Sequence, residues 1–135
     1  MLPNITEAAM FTGMEFRSRP DKAYICSLLD SLNHPCVVLT GAGYREEEAG
    51  VAVRSSGGDF EYIHAKEPGS FHGTGDMFAA CFTGALMQEK SLEEAVKIAA
   101  EFVRCSIRNT LANPAHRYGV KFETALPDLI RMLGL

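Results

Sequence analysis

Gly73-Thr74-Gly75-Asp76 stands between the polar loop Glu67 to His72 and an apolar run that opens Met77-Phe78-Ala79-Ala80. Two glycines at such a junction let the backbone turn sharply into a helix start, where free N–H groups and the helix dipole attract an anion. Asp76 stands in that turn. A carboxylate beside a phosphate repels it, yet it is well placed to take a proton from a hydroxyl that attacks the phosphate. The pattern therefore points to phosphoryl transfer. The plainer reading of the same four residues is a tight turn followed by an acid that favours a helix N-terminus. The small residues Ala79-Ala80 and Gly84-Ala85 tip the balance, because they predict a helix packed closely enough to hold the turn rigid.

At 135 residues with 47% hydrophobic content, the chain has the length of one domain and the apolar residues for a core. Thirteen basic and seventeen acidic residues give a formal charge of −4, without long runs of either sign. Nothing in that pattern predicts a nucleic-acid surface or a polybasic membrane patch. Cys26, Cys36, Cys81 and Cys105 include no CxxC pair, which disfavours a zinc knuckle or a redox motif and predicts reduced thiols, with Cys81 and Cys105 in the core. No basic-then-apolar leader and no run of membrane-spanning length is present, so a cytoplasmic location is expected.

Asn4 and Glu7 have the spacing of a capping box, and Gly13 that of a helix end. A second helix is expected over Pro20 to Leu32, with Ile25, Leu28, Leu29 and Leu32 on one face. Cys36 to Thr40 reads as a short buried strand ended by Gly41-Ala42-Gly43. Val51 to Ser55 and Phe60 to His64 flank Ser56-Gly57-Gly58-Asp59 and predict a hairpin. A helix after Asp76 should bury Phe78, Cys81, Phe82, Ala85 and Leu86 and reach about Glu89. Ser91 and Glu94 predict a capping box on a further helix, which should pack on it through Leu92, Ala95, Val96, Ala99, Val103 and Ile107. A polar stretch from Asn113 to Gly119 precedes a last helix near Phe122 to Leu133. This is an α/β pattern with few strands for its helices, as though 1–135 were a single partial domain.

Other candidate residues have ordinary explanations beside functional ones. Glu7 caps a helix, but an acid near phosphates also holds magnesium directly or through water. Thr40 and Gly41 end a strand, where open α/β sheets bind ligands. Gly41-Ala42-Gly43 does not extend to a dinucleotide fingerprint, since Glu46 occupies the last glycine position. Lys66 can neutralise a nucleotide phosphate or be an exposed strand-end lysine. His34, His64, His72 and His116 lack metal-ligand spacing, and only His72 abuts the glycine turn. Ser55 and Ser70 lack a nucleophile elbow.

Pro3-Asn4-Ile5-Thr6-Glu7, Val37-Val38-Leu39-Thr40-Gly41 and His72-Gly73-Thr74-Gly75-Asp76-Met77-Phe78-Ala79-Ala80, in this order, resemble the C-terminal half of ribokinase-like kinases. More narrowly, with Ser91-Leu92-Glu93-Glu94-Ala95 and Tyr118-Gly119-Val120-x-Phe122-Glu123, they are similar to pyridoxal (vitamin B6) kinases. The resemblance implies the C-terminal half of a three-layer α/β/α fold and ATP-dependent phosphorylation of the hydroxymethyl group of a B6 vitamer. It implies Asp76 as base toward the bound substrate, with Gly73, Thr74, Gly75 and Asp76 forming the anion hole. It places Thr40, Gly41, Gly73, Gly75 and Lys66 at ATP, and Glu7 with Asn4 at Mg2+. A hydroxymethylpyrimidine or sugar kinase of the same superfamily is the nearest alternative. Such kinases have chains about twice as long, so a catalytically incomplete nucleotide-binding fragment, or a self-associating one forming a homodimer, is the reading from another class.

Overall fold

Asn4 is extended (φ −84°, ψ 173°), and its Oδ1 accepts from the Glu7 N–H at 2.8 Å while Glu7 Oε2 accepts from the Asn4 N–H at 2.8 Å. This reciprocal cap starts α1 (Ile5–Thr12), which Gly13 ends in the left-handed region at φ 69°. The computed structural model describes residues 1–113 and 119–135. His116 and Tyr118, named above, lie outside the described residues. The chain divides into two compact units, Met1–Lys66 and Glu67–Leu135.

In the first unit, α2 (Lys22–Leu32) begins two residues later than the sequence predicts, because Asp21 is extended and caps it from outside, accepting from the Tyr24 N–H at 2.8 Å. Asn33 closes it at φ 47°. Strands β1 (Cys36–Thr40), β2 (Glu48–Ser55) and β3 (Phe60–Ala65) form an antiparallel sheet in the order β1-β2-β3. The register pairs Val38 with Val53 and Thr40 with Val51, then Val51 with Tyr62 and Glu48 with Ala65. Side chains alternate across a sheet, so Val37, Leu39, Ala52 and Ile63 share one face. That face belongs to the core with Ile5, Ala8, Ala9, Tyr24, Ile25, Leu28 and Leu29 of the two helices. Val38, Val51 and Val53 on the opposite face are buried as well.

Met1 to Asn4 carries no strand signal in the sequence, being four residues long and interrupted by proline. It nevertheless runs parallel to β1: Met1 O accepts from the Val38 N–H and Pro3 O from the Thr40 N–H, both at 2.9 Å.

In the second unit, α3 (Thr74–Met87) packs on α4 (Leu92–Leu111), and the buried rings of Phe78 and Phe82 stack 6.2 Å apart along α3. The capping box on α4 forms as the sequence predicts, with Ser91 Oγ accepting from the Glu94 N–H at 3.2 Å. A 3-10 turn (Phe122–Ala125) leads into α5 (Leu126–Leu133), where one continuous helix was expected. Buried Thr110 ties this region down, its Oγ1 accepting from the Lys121 N–H at 2.8 Å.

Three expectations about burial need correction. Leu86 is 40% exposed, since α3 ends at Met87 and Glu89 turns left-handed at φ 59°. Gly84 is exposed with open space beside it, so it is not a close-packing position. On α4 the buried stripe runs through Ala95, Val96, Ala99, Phe102, Ser106 and Thr110, while Leu92, Val103, Cys105 and Ile107 are only half-buried.

Candidate functional site

Of the candidate residues in the first unit, four come together at one end of the sheet. The parallel bridge between Asn4 and Thr40 sets the capped start of α1 beside the end of β1, and with it Glu7 beside Thr40 and Gly41. Gly41 takes φ 79°, a conformation that disfavours any side chain. Because β2 runs antiparallel to both neighbours, β3 also ends at this side of the sheet. Lys66, whose N–H donates to Glu47 O at 2.7 Å, follows it there. Two strand spacings separate its strand from β1, about 10 Å.

Asn4 has its side-chain oxygen committed to the cap, and Glu7 has one carboxylate oxygen so committed. Glu7 Oε1 is therefore the oxygen of this pair left for an ion or its water. Among the described residues no three His, Cys, Asp or Glu side chains gather in a way that could hold a metal by themselves.

In the second unit, Gly73 occupies the N-cap of α3 at φ 86°, ψ 0°, and no side chain caps the helix. The first intrahelical bond is donated by Met77 to Gly73 O at 3.0 Å, so the N–H groups of Thr74, Gly75 and Asp76 lie ahead of it. Helices α1, α2 and α4 fill the corresponding place with Asn4, Asp21 and Ser91. A Cβ built on Gly73 or Gly75 would meet nothing within 4 Å beyond its chain neighbours and the backbone of its own helix. Backbone conformation accounts for Gly73, whereas internal packing does not account for Gly75. The absence of a side chain there leaves these amides open to close approach from outside. Asp76 is exposed in the same first turn.

Residues 1–120 match the phosphomethylpyrimidine kinase family. The chain belongs to this family. Among its relatives, hydroxymethylpyrimidine/phosphomethylpyrimidine kinase of Bacillus subtilis (strain 168) is 32% identical over 114 residues, which cover 81% of this chain and 41% of that protein. Pyridoxine kinase of the same organism is 29% identical over 119 residues, covering 86% of this chain and 43% of that one. The crystal structure of pyridoxal kinase from Lactobacillus plantarum superposes with a TM-score of 0.80 at 27% identity, over 97% of this chain and 49% of that one. The chain thus spans less than half the length of each. Its α/β fold is that of half a ribokinase-like kinase, as the sequence resemblance implied.

This member of the phosphomethylpyrimidine kinase family also carries a feature that sequence reasoning missed. Asp76 lines a cleft of about 590 Å3 whose walls are otherwise largely apolar: Met77, Ala80 and Cys81 of α3, Phe102 of α4, and Phe122, Leu126 and Leu129 beyond. The sequence signal was the amphipathic spacing of Leu126, Leu129 and Leu133, which places apolar side chains on one stripe of α5. Burial here pushes the Cys81 thiol up to about 11 from 9.0, because the thiolate is poorly solvated. The neutral thiol is thus favoured, and the nucleophilic form is about 100-fold scarcer than in a thiol of ordinary acidity near pH 8. Iodoacetamide at pH 8, followed by peptide mapping, should label Cys81 at least about 100-fold more slowly in the native chain than in denaturant. Comparable rates would show a solvated thiol.

No helix among the described residues is long and apolar enough to cross a membrane.

Proposed function

We propose that this chain carries the phosphate-binding and general-base elements of an ATP-dependent kinase whose acceptor is the hydroxymethyl group of a small heteroaromatic ring. The observation that carries this reading is the start of α3, a 14-residue helix with no side-chain cap, open space at both glycines and Asp76 in its first turn. In this reading Asp76 accepts the hydroxyl proton as the substrate oxygen forms its bond to the γ-phosphorus and the bond to the leaving ADP oxygen breaks. The N–H groups of the Gly73–Asp76 turn donate to the oxygens on which charge gathers.

Thr40, Gly41 and Lys66 face the nucleotide in the same reading, with Lys66 supplying a point charge to a phosphate. A bound Mg2+ would neutralise phosphate charge. The residues present fit such an ion, which normally takes one or two carboxylates and completes its shell with phosphates and water. Glu7 would supply the carboxylate, and Asn4, through the cap, would orient it.

Two ring systems are in play. The family match and the first Bacillus subtilis relative favour a hydroxymethylpyrimidine, and the pyridoxine kinase and pyridoxal kinase relatives favour a B6 vitamer. Both present a hydroxymethyl group on an aromatic nitrogen heterocycle, and the chemistry asked of Asp76 is the same.

ATP with Mg2+ titrated into the purified chain, beside phosphorylation assays on pyridoxal, pyridoxine, pyridoxamine, hydroxymethylpyrimidine and a sugar panel, tests the reading. Turnover on one heterocycle class assigns the substrate, and sugar turnover alone overturns the heterocycle. Because the chain spans less than half of each relative described above, a second reading is a nucleotide-binding module completed by a second copy or by another polypeptide. Binding without turnover supports that module. Absence of nucleotide binding removes both.

A further inference from the structure

The segment that delivers the chain into the glycine turn is bound to α4 by charge, and two of the charged side chains, Glu67 and Arg104, are largely out of water while Arg108 is half exposed. Arg108 Nε donates to Glu67 Oε1 at 2.9 Å, and Arg104 Nε lies 3.4 Å from the same oxygen. Arg104 Nη1 in turn donates to Glu101 Oε1 at 2.7 Å. The Glu67 and Arg104 side chains are only 14% and 16% exposed, whereas an ordinary surface pair in this protein, Arg19 and Glu46, is more than 80% exposed on both sides. Shielded ion pairs contribute little net stability, since desolvation offsets the attraction, but they fix geometry where both partners must be satisfied.

The same segment then turns close to α4. Gly69 turns at φ 91°, and a Cβ on it would lie 3.1 Å from the Phe71 ring and 3.9 Å from Leu111 Cδ2. Arg104, Arg108 and Leu111 are spaced by four and three residues, so they form one stripe of α4. That stripe receives Glu67 and lies near Gly69, and four residues after Gly69 the chain reaches Gly73.

We infer that Glu67, clamped by Arg104 and Arg108, is a positioning residue that sets where the Gly73–Asp76 amides stand. The inference rests on the phosphate-turn reading above and adds to it a residue that never touches the phosphate. Positioning of this kind matters because amide donors must meet developing charge at hydrogen-bond distance, and a misplacement of about 1 Å costs as much as 100-fold in rate.

The sign of the effect separates positioning from simple electrostatics. Glu67→Gln removes a negative charge beside two arginines, of which Arg104 keeps Glu101, so the local field alone would tighten binding of an anion. Loss of the clamp should weaken it. The experiment titrates inorganic tripolyphosphate with Mg2+ into the 15N-labelled chain, read by calorimetry and amide spectra, for the unmodified protein, Glu67→Gln and Arg108→Lys. Arg108→Lys keeps the charge and loses the Nε donor.

The expected result is five- to tenfold weaker binding in Glu67→Gln and about threefold weaker binding in Arg108→Lys. The resonances of Thr74, Gly75 and Asp76 should be shifted in both ligand-free variants, and those of the Ser91–Glu94 cap unmoved. Equal or tighter binding in Glu67→Gln, with the turn amides unshifted, overturns the inference and leaves the phosphate turn standing. Should Glu67→Gln fail to fold, Arg108→Lys decides on its own, and unchanged affinity there overturns it. If the unmodified chain binds no tripolyphosphate, the phosphate-turn reading falls and this inference falls with it.

Discussion

Asp76→Asn is expected to lower kinase turnover by about 1,000-fold while ATP affinity in the presence of Mg2+ stays within about threefold of the unmodified protein, or tightens. The magnitude follows from the task proposed for the carboxylate, since removing a general base typically costs 100- to 10,000-fold. Asparagine matches aspartate in size, so the exposed first turn of α3 has no steric reason to change. It cannot accept the hydroxyl proton. The direction of the affinity change follows from charge: an anion beside a phosphate repels it, and the neutral amide relieves that repulsion. Turnover is to be read with the chain alone and with a polypeptide supplying the remaining half of a relative, and affinity by calorimetry. Full turnover in the variant would remove Asp76 from the base role. Loss of turnover together with a tenfold or greater loss of affinity would make it a binding residue instead.

Gly50→Ala is expected to destabilise the first unit by roughly 3 kcal/mol, as a core position forced to accept excess volume does. A Cβ at Gly50 would overlap Tyr62 O and lie 2.9 Å from Ile63 Cα, both backbone atoms of β3. No side-chain rotation can relieve that overlap. Strand β3 would have to move away from β2, and the ladder bonds on either side of the Gly50–Ile63 pair would lengthen. The Ala42 N–H donates to Gly50 O at 3.0 Å, so the disturbance would also reach the loop after Gly41. Urea unfolding monitored by circular dichroism gives the measurement, and a midpoint unchanged from the unmodified chain would show that the sheet absorbs a methyl group there. With total stabilities of 5–15 kcal/mol usual for a domain, a loss of this size is a large fraction of the whole.

Much of the local structure was legible because local rules decide it. Asn4 with Glu7 and Ser91 with Glu94 were read as capping boxes from spacing alone, and both form, because the reciprocal bonds close within four residues. The hairpin around Ser56-Gly57-Gly58-Asp59 was legible for the same reason. Leu86, Val103 and Ile107 were assigned to a buried face and are not fully buried, since periodicity says which residues share a face and not how far a neighbouring element covers it. The structural roles of two glycines after β1 were illegible. Gly43 ends the first expected strand and Gly50 precedes the second, yet neither admits a Cβ, because the backbone of Glu48 and Ala49 passes against the first and that of Tyr62 and Ile63 against the second.

For the candidate site the division is similar. The identity of Gly73-Thr74-Gly75-Asp76 and its place at a helix start followed from residue types and order, because glycine conformational freedom and the direction of helix amides are properties of the chain itself. Tertiary structure decided that no side chain fills the cap of α3, that both glycines face open space, and that Glu67 is held by two arginines 37 and 41 residues further along the chain. It also decided that Asn4 and Glu7 stand beside Thr40, through a parallel bridge with no sequence pattern to announce it. Sequence determines what each residue can do within its own turn of backbone. Which residues separated in the chain meet depends on packing and strand register, and these exist only once the chain has folded.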